Sequence, residues 1–384
     1  MKEPEFKKCC LTVATLVAAI FAFNTPPAFG FTIQPGDIIV GNDGGNTVIK
    51  VDPTNGEQTL LATFTTVTTN GLQYGGVHDL AQSPNGDLIV LQHRRIVSRL
   101  NLLDGSITDI TNGGLLGRDD TDTFTAGLAL APNGDIYVSV YTLPFTGIVK
   151  VDPKTGAQTS IASGGYITGP IGLGFSPAGE LLVADLYSRR LVGINTHSQA
   201  QRLIAENLAP DSPWGMATDA LGNIYLGANG TGRNALIQRV TPTGSVSTVI
   251  SGGLLDAPYD VALEAGGTLL TFRSQDNAVV RIHPESRSQT IVSQGGLLNN
   301  SLCLTVAEFA VPPASEPARL DLQAYAGISI QGTVGATYEI QYSNSIGDSN
   351  WISLTNIVLP SSPYLYFDAS SRLQAGRVYR AVTK

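Results

Sequence analysis

At 384 residues the chain is long enough for one large domain with a sizeable core, or for two domains. Its 42 glycines and 21 prolines, beside only 14% charged residues, suit an all-β protein full of tight turns. A formal net charge of −8 argues against nucleic acid or anionic membrane as the main partner, because a cation-poor surface gains nothing from either.

Residues 1–30 have the pattern of a secretory signal peptide. Lys7 and Lys8 precede an apolar run from Cys9 to Phe23, Asn24 to Pro27 break it, and Ala28-Phe29-Gly30 offers small residues for cleavage. The run is shorter than the roughly 20 residues that span a bilayer, so no membrane insertion is expected after cleavage. Cys9 and Cys10 leave with the signal, and Cys303 alone cannot form an intrachain disulfide. The expected location is outside a bacterial cytoplasm: secreted, periplasmic or cell-envelope.

A turn-plus-strand phrase then recurs six times: Gly36-Asp37-Ile38-Ile39-Val40, and its counterparts beginning at Gly86, Gly134, Gly179, Gly222 and Gly267, at intervals of 43 to 50 residues. A repeat of that length made only of strands and turns indicates propeller blades. Each unit reads as four strands. The first is built of small residues, as in Asp79-Leu80-Ala81 and Gly127-Leu128-Ala129, because little side-chain volume fits near a central axis. The second is uniformly apolar, as expected of a strand covered on both faces. The third alternates and ends in a turn such as Asp52-Pro53-Thr54-Asn55-Gly56. The fourth is Thr- and Ser-rich, a guarded edge.

The first repeat lacks a first strand, while Asn300 to Val306 has the pattern of one and no second strand follows it. The predicted fold is therefore an all-β, six-bladed propeller over 31–310, closed by this C-terminal strand; five and seven blades are the alternative counts. Residues 311–317 read as a Pro-rich linker, and 318–384 as a small β-sandwich-like domain with strands at Tyr338–Tyr342, after Trp351, and at Arg377–Val382.

Residues Pro170 to Asp185, followed by Arg190-Leu191-Val192, resemble the NHL repeat. The blades are similar to streptogramin lyase-like and gluconolactonase-like propellers over roughly 36–306, and the tail resembles short β-modules appended to secreted bacterial proteins. The resemblance implies blade packing. Lyases and lactonases of this kind use acidic, Asn or His residues on one mouth of the ring, but no motif transfers residue by residue, so no role is carried over.

The long connections, Phe64–Val77, Asn112–Ala126, Tyr141–Gly147 and Gly227–Asn234, should share one face, opposite the tight Asn-Gly and Asp-Pro turns. At the start of the first strands, Asp79 and Asp260 depart from the glycine usual there, and both should point to the axial mouth. Around them stand His78, Trp214 and Tyr259, and, at the ends of second strands, Asn42, Gln92, Asp185 and Arg273, with His93 just beyond. Two readings compete. In one, Asp79, Asp185 and Asp260 bind Ca²⁺ or Mg²⁺, helped by Asn42 or Gln92, and His78 or His93 acts as acid or base. In the other, Asp79 and Asp260 hydrogen-bond backbone amides and Arg273 pairs with one of them. Trp214 and Tyr259 suit a sugar or peptide, or plug the gap between blades. His197 and His283 read as turn residues, and Arg118 to Asp122 as an incomplete calcium-loop fragment. The functional expectation is an exported module binding an extracellular ligand or protein on its long-loop face. The alternatives are a Ca- or Mg-dependent lyase or lactonase-type hydrolase, and a structural envelope protein.

Overall fold

The computed structural model describes residues 31–65, 67–69, 72–92, 95–117, 124–141, 145–209, 213–228, 235–309, 326–345, 347, 349–371 and 377–384. The expected signal peptide, the 311–317 linker, the Arg118 to Asp122 fragment and His93 lie outside them. Among the described residues are six four-stranded antiparallel sheets, the blades of an all-β propeller. Blades 2 to 5 begin on the strands Val77–Gln82, Phe124–Leu130, Pro170–Phe175 and Pro213–Thr218, and blade 6 on Val261–Leu263. Blade 1 takes its first strand from the far end of the propeller. Ser301–Val306 pairs with Ile38–Asn42, running from Ile38 opposite Val306 to Asn42 opposite Ser301. The innermost strands touch in order from blade 1 to blade 6, and blade 6 touches blade 1. The ring is closed where the sequence places the seam, and Gln82 ties the seam down by accepting from the amides of Glu308 and Phe309.

The uniform apolarity of the second strands has the cause expected of it. Side chains alternate across a strand, so Ile39 joins the cluster between blades 1 and 2, while Ile38 and Val40 join the cluster between blades 6 and 1. Four more apolar clusters fill the remaining junctions. The six repeat glycines, Gly36, Gly86, Gly134, Gly179, Gly222 and Gly267, all have φ between 78° and 97°. That left-handed region is why the turn into each second strand needs glycine.

Two features escaped the sequence reading. The Phe64–Val77 connection carries a small hairpin, Val67–Thr69 with Leu72–Tyr74. The C-terminal residues form a second compact unit, Glu316–Lys384, whose two-stranded sheet pairs Ala326–Ile330 with Tyr364–Asp368, neither predicted. Its three-stranded sheet places Thr337–Ser343 between Ile352–Val358 and Val378–Thr383. Ile330, Ile340 and Leu359 are its buried centre.

Phe272, fully buried at the junction of blades 6 and 1, tests whether the seam carries stability. Phe272→Ala is expected to cost about 3–5 kcal/mol by cavity formation. Gly134→Ala meets no neighbouring atom and should cost only the left-handed backbone term, about 1–2 kcal/mol. Urea unfolding of the two variants measures both.

Candidate functional site

An innermost strand has a free edge toward the axis, and its axial amides need acceptors. Asp79 and Asp260 supply them. Asp79 Oδ1 accepts from the amide of Leu80 at 2.8 Å, and Oδ2 reaches into the next blade to the amide of Leu128 at 2.6 Å. Asp260 repeats this at the seam, accepting from Val261 and, across to the closing strand, from Leu304, both at 2.8 Å. The register of the blade 2 inner strand slips between Val77 and Asp79, and inner strands of blades 3 to 5 slip at the matching place, which turns these positions toward the axis. Glycine holds the equivalent place in blades 3 to 5, at Gly127, Gly172 and Gly215, and Cys303 holds it on the closing strand of blade 1. A Cβ on Gly127 would lie 2.2 Å from the carbonyl oxygen of Ile171, and one on Gly215 would fall on the Asp260 carboxylate.

Both aspartates line one axial cavity of about 1290 Å³. Its position corrects the sequence reading. The mouth lies among the tight turns, at Pro35, Gly36, Pro53, Leu221, Gly267 and His283, and the deepest lining residues are Asp79, Gly215 and Asp260. Among the described residues, the aspartates therefore line a well that opens toward the turn face. The long-loop residues His78, Tyr259 and Arg273 do not line it, and neither do Gln92 and Asp185.

Burial pushes the Asp79 carboxyl well above the usual carboxylate range, and the nearby Asp260 charge pushes it further, against the pull of its two amide donors. Burial likewise raises Asp260, to about 7, against its own amides. Cys303, beside them on the closing strand, is raised by burial and then by both aspartates.

The remaining candidates are engaged within their own blades or seams. Asp185 accepts from the amides of Thr168, Gly169 and Ser188 and from the hydroxyls of Thr168 and Ser188. Burial raises this carboxyl, but the donors outweigh it and hold it below its usual range. It fastens the loops around Tyr187 and does not join Asp79 and Asp260, so the structure does not assemble the proposed metal trio. Among the described residues no three His, Cys, Asp or Glu side chains converge as a ligand set. Asn42, fully buried, donates to Thr47 and the Leu297 carbonyl and accepts from Asn299 and Ser301, which makes it a seam staple. Gln92 donates to Ser98, which donates to Asp109. His78 Nε2 stands 3.7 Å from Asp43, which also accepts from Asn300. Arg273 pairs with Asp276 at 2.6 Å, not with Asp79 or Asp260. Tyr259 is half-buried beside Asp260, and Trp214 is placed only as a position on Pro213–Thr218. His283 does sit on a turn, where its amide bonds the Ser288 carbonyl, but it also stands at the cavity mouth.

One device was missed altogether. Gln58, Gln158, Gln201 and Gln289 begin fourth strands, and each reaches back to the Gly-Gly turn of the preceding blade. Each donates to a glycine carbonyl and accepts an amide, from Leu297, Leu115, Tyr166 and Leu254 respectively. The signal was present: a Gln two residues after a turn Gly or its equivalent, and a Gly-Gly pair closing the previous blade. The clamp fixes apolar residues on the long-loop face at blade junctions. Leu115, Tyr166 and Leu297 are 37%, 38% and 43% exposed. Beside Tyr166, Arg190 lies 5.8 Å from its ring centroid, and Tyr187, 59% exposed, stacks edge-on against Tyr141 at 5.0 Å.

Closed blades around an axial well define a β-propeller, and solved structures agree. A chain in a crystal structure of a nidogen/laminin complex is 16% identical with a TM-score of 0.57, covering 71% of this chain and 98% of that one. A Bacteroides caccae protein of unknown function is 13% identical with a TM-score of 0.52, covering 72% of this chain and all of its own. A virginiamycin B lyase from Staphylococcus aureus is 14% identical with a TM-score of 0.47, covering 69% of this chain and 85% of that one. At such identities the first two likenesses show the fold alone. No family model and no curated protein matches the chain.

The two axial carboxyls give stability a particular pH dependence. Asp260 binds its proton more tightly folded, at about 7, than at the usual 3.8. Its contribution is therefore complete below about pH 4 and is lost as pH rises through 7, with Asp79 acting in the same direction. Asp185, lowered, contributes above 3.8 and loses that as pH falls. Stability should decline from about pH 4 toward pH 8, by at most about 1.4 kcal/mol per pH unit for each titrating group. Asp260→Asn should flatten the decline at a cost of about 1 kcal/mol for one lost amide bond. Urea unfolding across pH 4.5–8 decides it.

Proposed function

We propose that this chain is an exported propeller that binds an extracellular protein through its long-loop face, acting as a recognition module and not as a lyase or hydrolase. The observation that carries the reading is a set of exposed apolar side chains at three blade junctions, Leu115, Tyr166 and Leu297, each on a backbone fixed by a glutamine from the next blade. Apolar groups held rigid in water lose little entropy when a partner covers them, which is the arrangement that favours association. Tyr187 adds a rigid aromatic anchor, because Asp185 ties down both loops beneath it. The polar side chains that a catalyst would need, Asn42, Gln92 and Asp185, are used in holding loops. The fold likeness to a chain of a nidogen/laminin complex is support by analogy only. Export rests on the pattern of residues 1–30.

A photo-crosslinking residue at Tyr187 or Leu297 should capture a partner from the native envelope or medium, whereas one at Asn133 on the turn face should not. With that partner purified, Tyr187→Ala combined with Leu297→Ser should weaken binding roughly tenfold or more, as loss of an aromatic anchor does, with the melting temperature unchanged. Capture from Asn133 alone, or unchanged affinity in the double variant, rejects the long-loop face as the docking surface.

A further inference from the structure

We propose that the axial cavity, entered from the turn face, binds a small organic cation, an amine, amidine or guanidine, with Asp79 and Asp260 as its charge partners. The site is independent of the long-loop face, and neither reading needs the other.

Three observations lead there. The cavity is large enough for a small molecule, at about 1290 Å³. Its walls are mixed: Leu130, Phe175 and Met216 remain partly exposed to it, so a short alkyl or aryl body would cover apolar surface on entering. The third observation is an unmet charge. Carboxylates withdrawn from water are normally paired with a cation, yet among the described residues neither Asp79 nor Asp260, both half-buried, has one. Each accepts two backbone amides, which leaves about half of its lone-pair capacity unused. Arg281, whose guanidinium is on the cavity wall, is consumed by Glu264 and the Pro53 carbonyl. Cys303 is the other titratable group beside the pair, and Asp219, Glu264, His283 and Glu308 stand toward the mouth. None of these offers the aspartates a fixed positive charge. The donor count favours an organic cation over Ca²⁺ or Mg²⁺. Two carboxyls already sharing their oxygens with amides fall short of the 6–8 oxygens calcium takes, whereas an amidinium needs only two acceptors.

Benzamidine, its neutral isostere benzamide, benzoate, Ca²⁺ and Mg²⁺ are the probes, titrated calorimetrically into the propeller with its tail. Benzamidine is expected to bind at least tenfold more tightly than benzamide, and benzoate not at all. Asp79→Asn and Asp260→Asn, checked for folding by near-UV circular dichroism, should each lose tenfold or more. Wild type provides a test that no variant can spoil. Near pH 6.5 the bound cation should drive Asp260, raised to about 7, to ionise, so binding enthalpies in buffers of different ionisation heat should show proton release, and the Asp260 share of it should fade as pH rises past 7. A crystal soaked with benzamidine should place the ligand between the two aspartates. Equal binding of benzamidine and benzamide, binding without proton release, binding of the divalent ions alone, or no binding at all overturns the assignment. Each of these outcomes leaves the long-loop reading standing, because that reading is judged by crosslinking at Tyr187 and Leu297.

Discussion

The backbone edges that six sheets bring to one axis govern the rest of this molecule. A sheet can bury its faces against its neighbours, but its innermost strand still presents amides toward a space too narrow for another strand. The approach is close enough that glycine becomes obligatory: at Gly127 a Cβ would strike the Ile171 carbonyl, and at Gly41 it would strike Val77 and Cys303. Where glycine leaves a gap, a neighbour's side chain fills it, as the Asp260 carboxylate does over Gly215. The acidic groups at the axis therefore begin as a solution to a backbone problem, and the chemistry of the cavity is inherited from that solution.

Legibility in the sequence follows from the same physics. Whatever a repeat must do in every blade is written at a fixed place, so the turn glycines, the apolar second strands and the Asp-Pro turns could be read directly. The seam was legible because a missing first strand at one end and a surplus one at the other leave a single closed solution, with Ser301–Val306 beside Ile38–Asn42. Asp79 and Asp260 were legible as departures from glycine, but the direction of their cavity was not. That direction depends on which end of the axial channel the loops and turns leave open, a property of packing between distant segments. Asp185 misled because a carboxylate at the end of a second strand looks alike in sequence whether it faces a ligand or fastens Thr168, Gly169 and Ser188. The glutamine clamps were passed over since a Gln on a polar outer strand looks like ordinary edge protection, and its partners lie in the preceding blade.

The two faces follow different rules. On the turn face, short loops are fixed by left-handed glycines and by carboxylates such as Asp52 and Asp152, which accept the amides two and three residues ahead. Little there can vary without strain, and the open volume lies at the axis. On the long-loop face, Gln58, Gln158, Gln201 and Gln289 tie four of the six junctions to the next blade, so a side chain placed after the Gly-Gly turn inherits the rigidity of the ring. A module built this way can change the identity of Leu115, Tyr166 or Leu297 without disturbing the clamp, because the glutamine reads only their backbone.

Carboxyls persist at the axis in spite of their desolvation for a reason found in donor counting. Each of Asp79 and Asp260 faces two amides, one from its own strand and one from the next blade, so each position needs two acceptors on one short side chain. Asparagine offers one acceptor and one donor, and would turn an N–H toward an N–H. Serine reaches only one amide. A carboxyl satisfies both whether ionised or protonated, since even the protonated oxygen keeps a lone pair. The group is thus held by hydrogen-bond geometry while its charge is left to the surroundings. Below its raised pKa the fold carries it as a neutral acid; above, burial and the neighbouring carboxylate oppose ionisation. A positive charge in the cavity would remove that conflict without altering one backbone hydrogen bond, which makes the axis of this propeller responsive to charge while its architecture stays fixed.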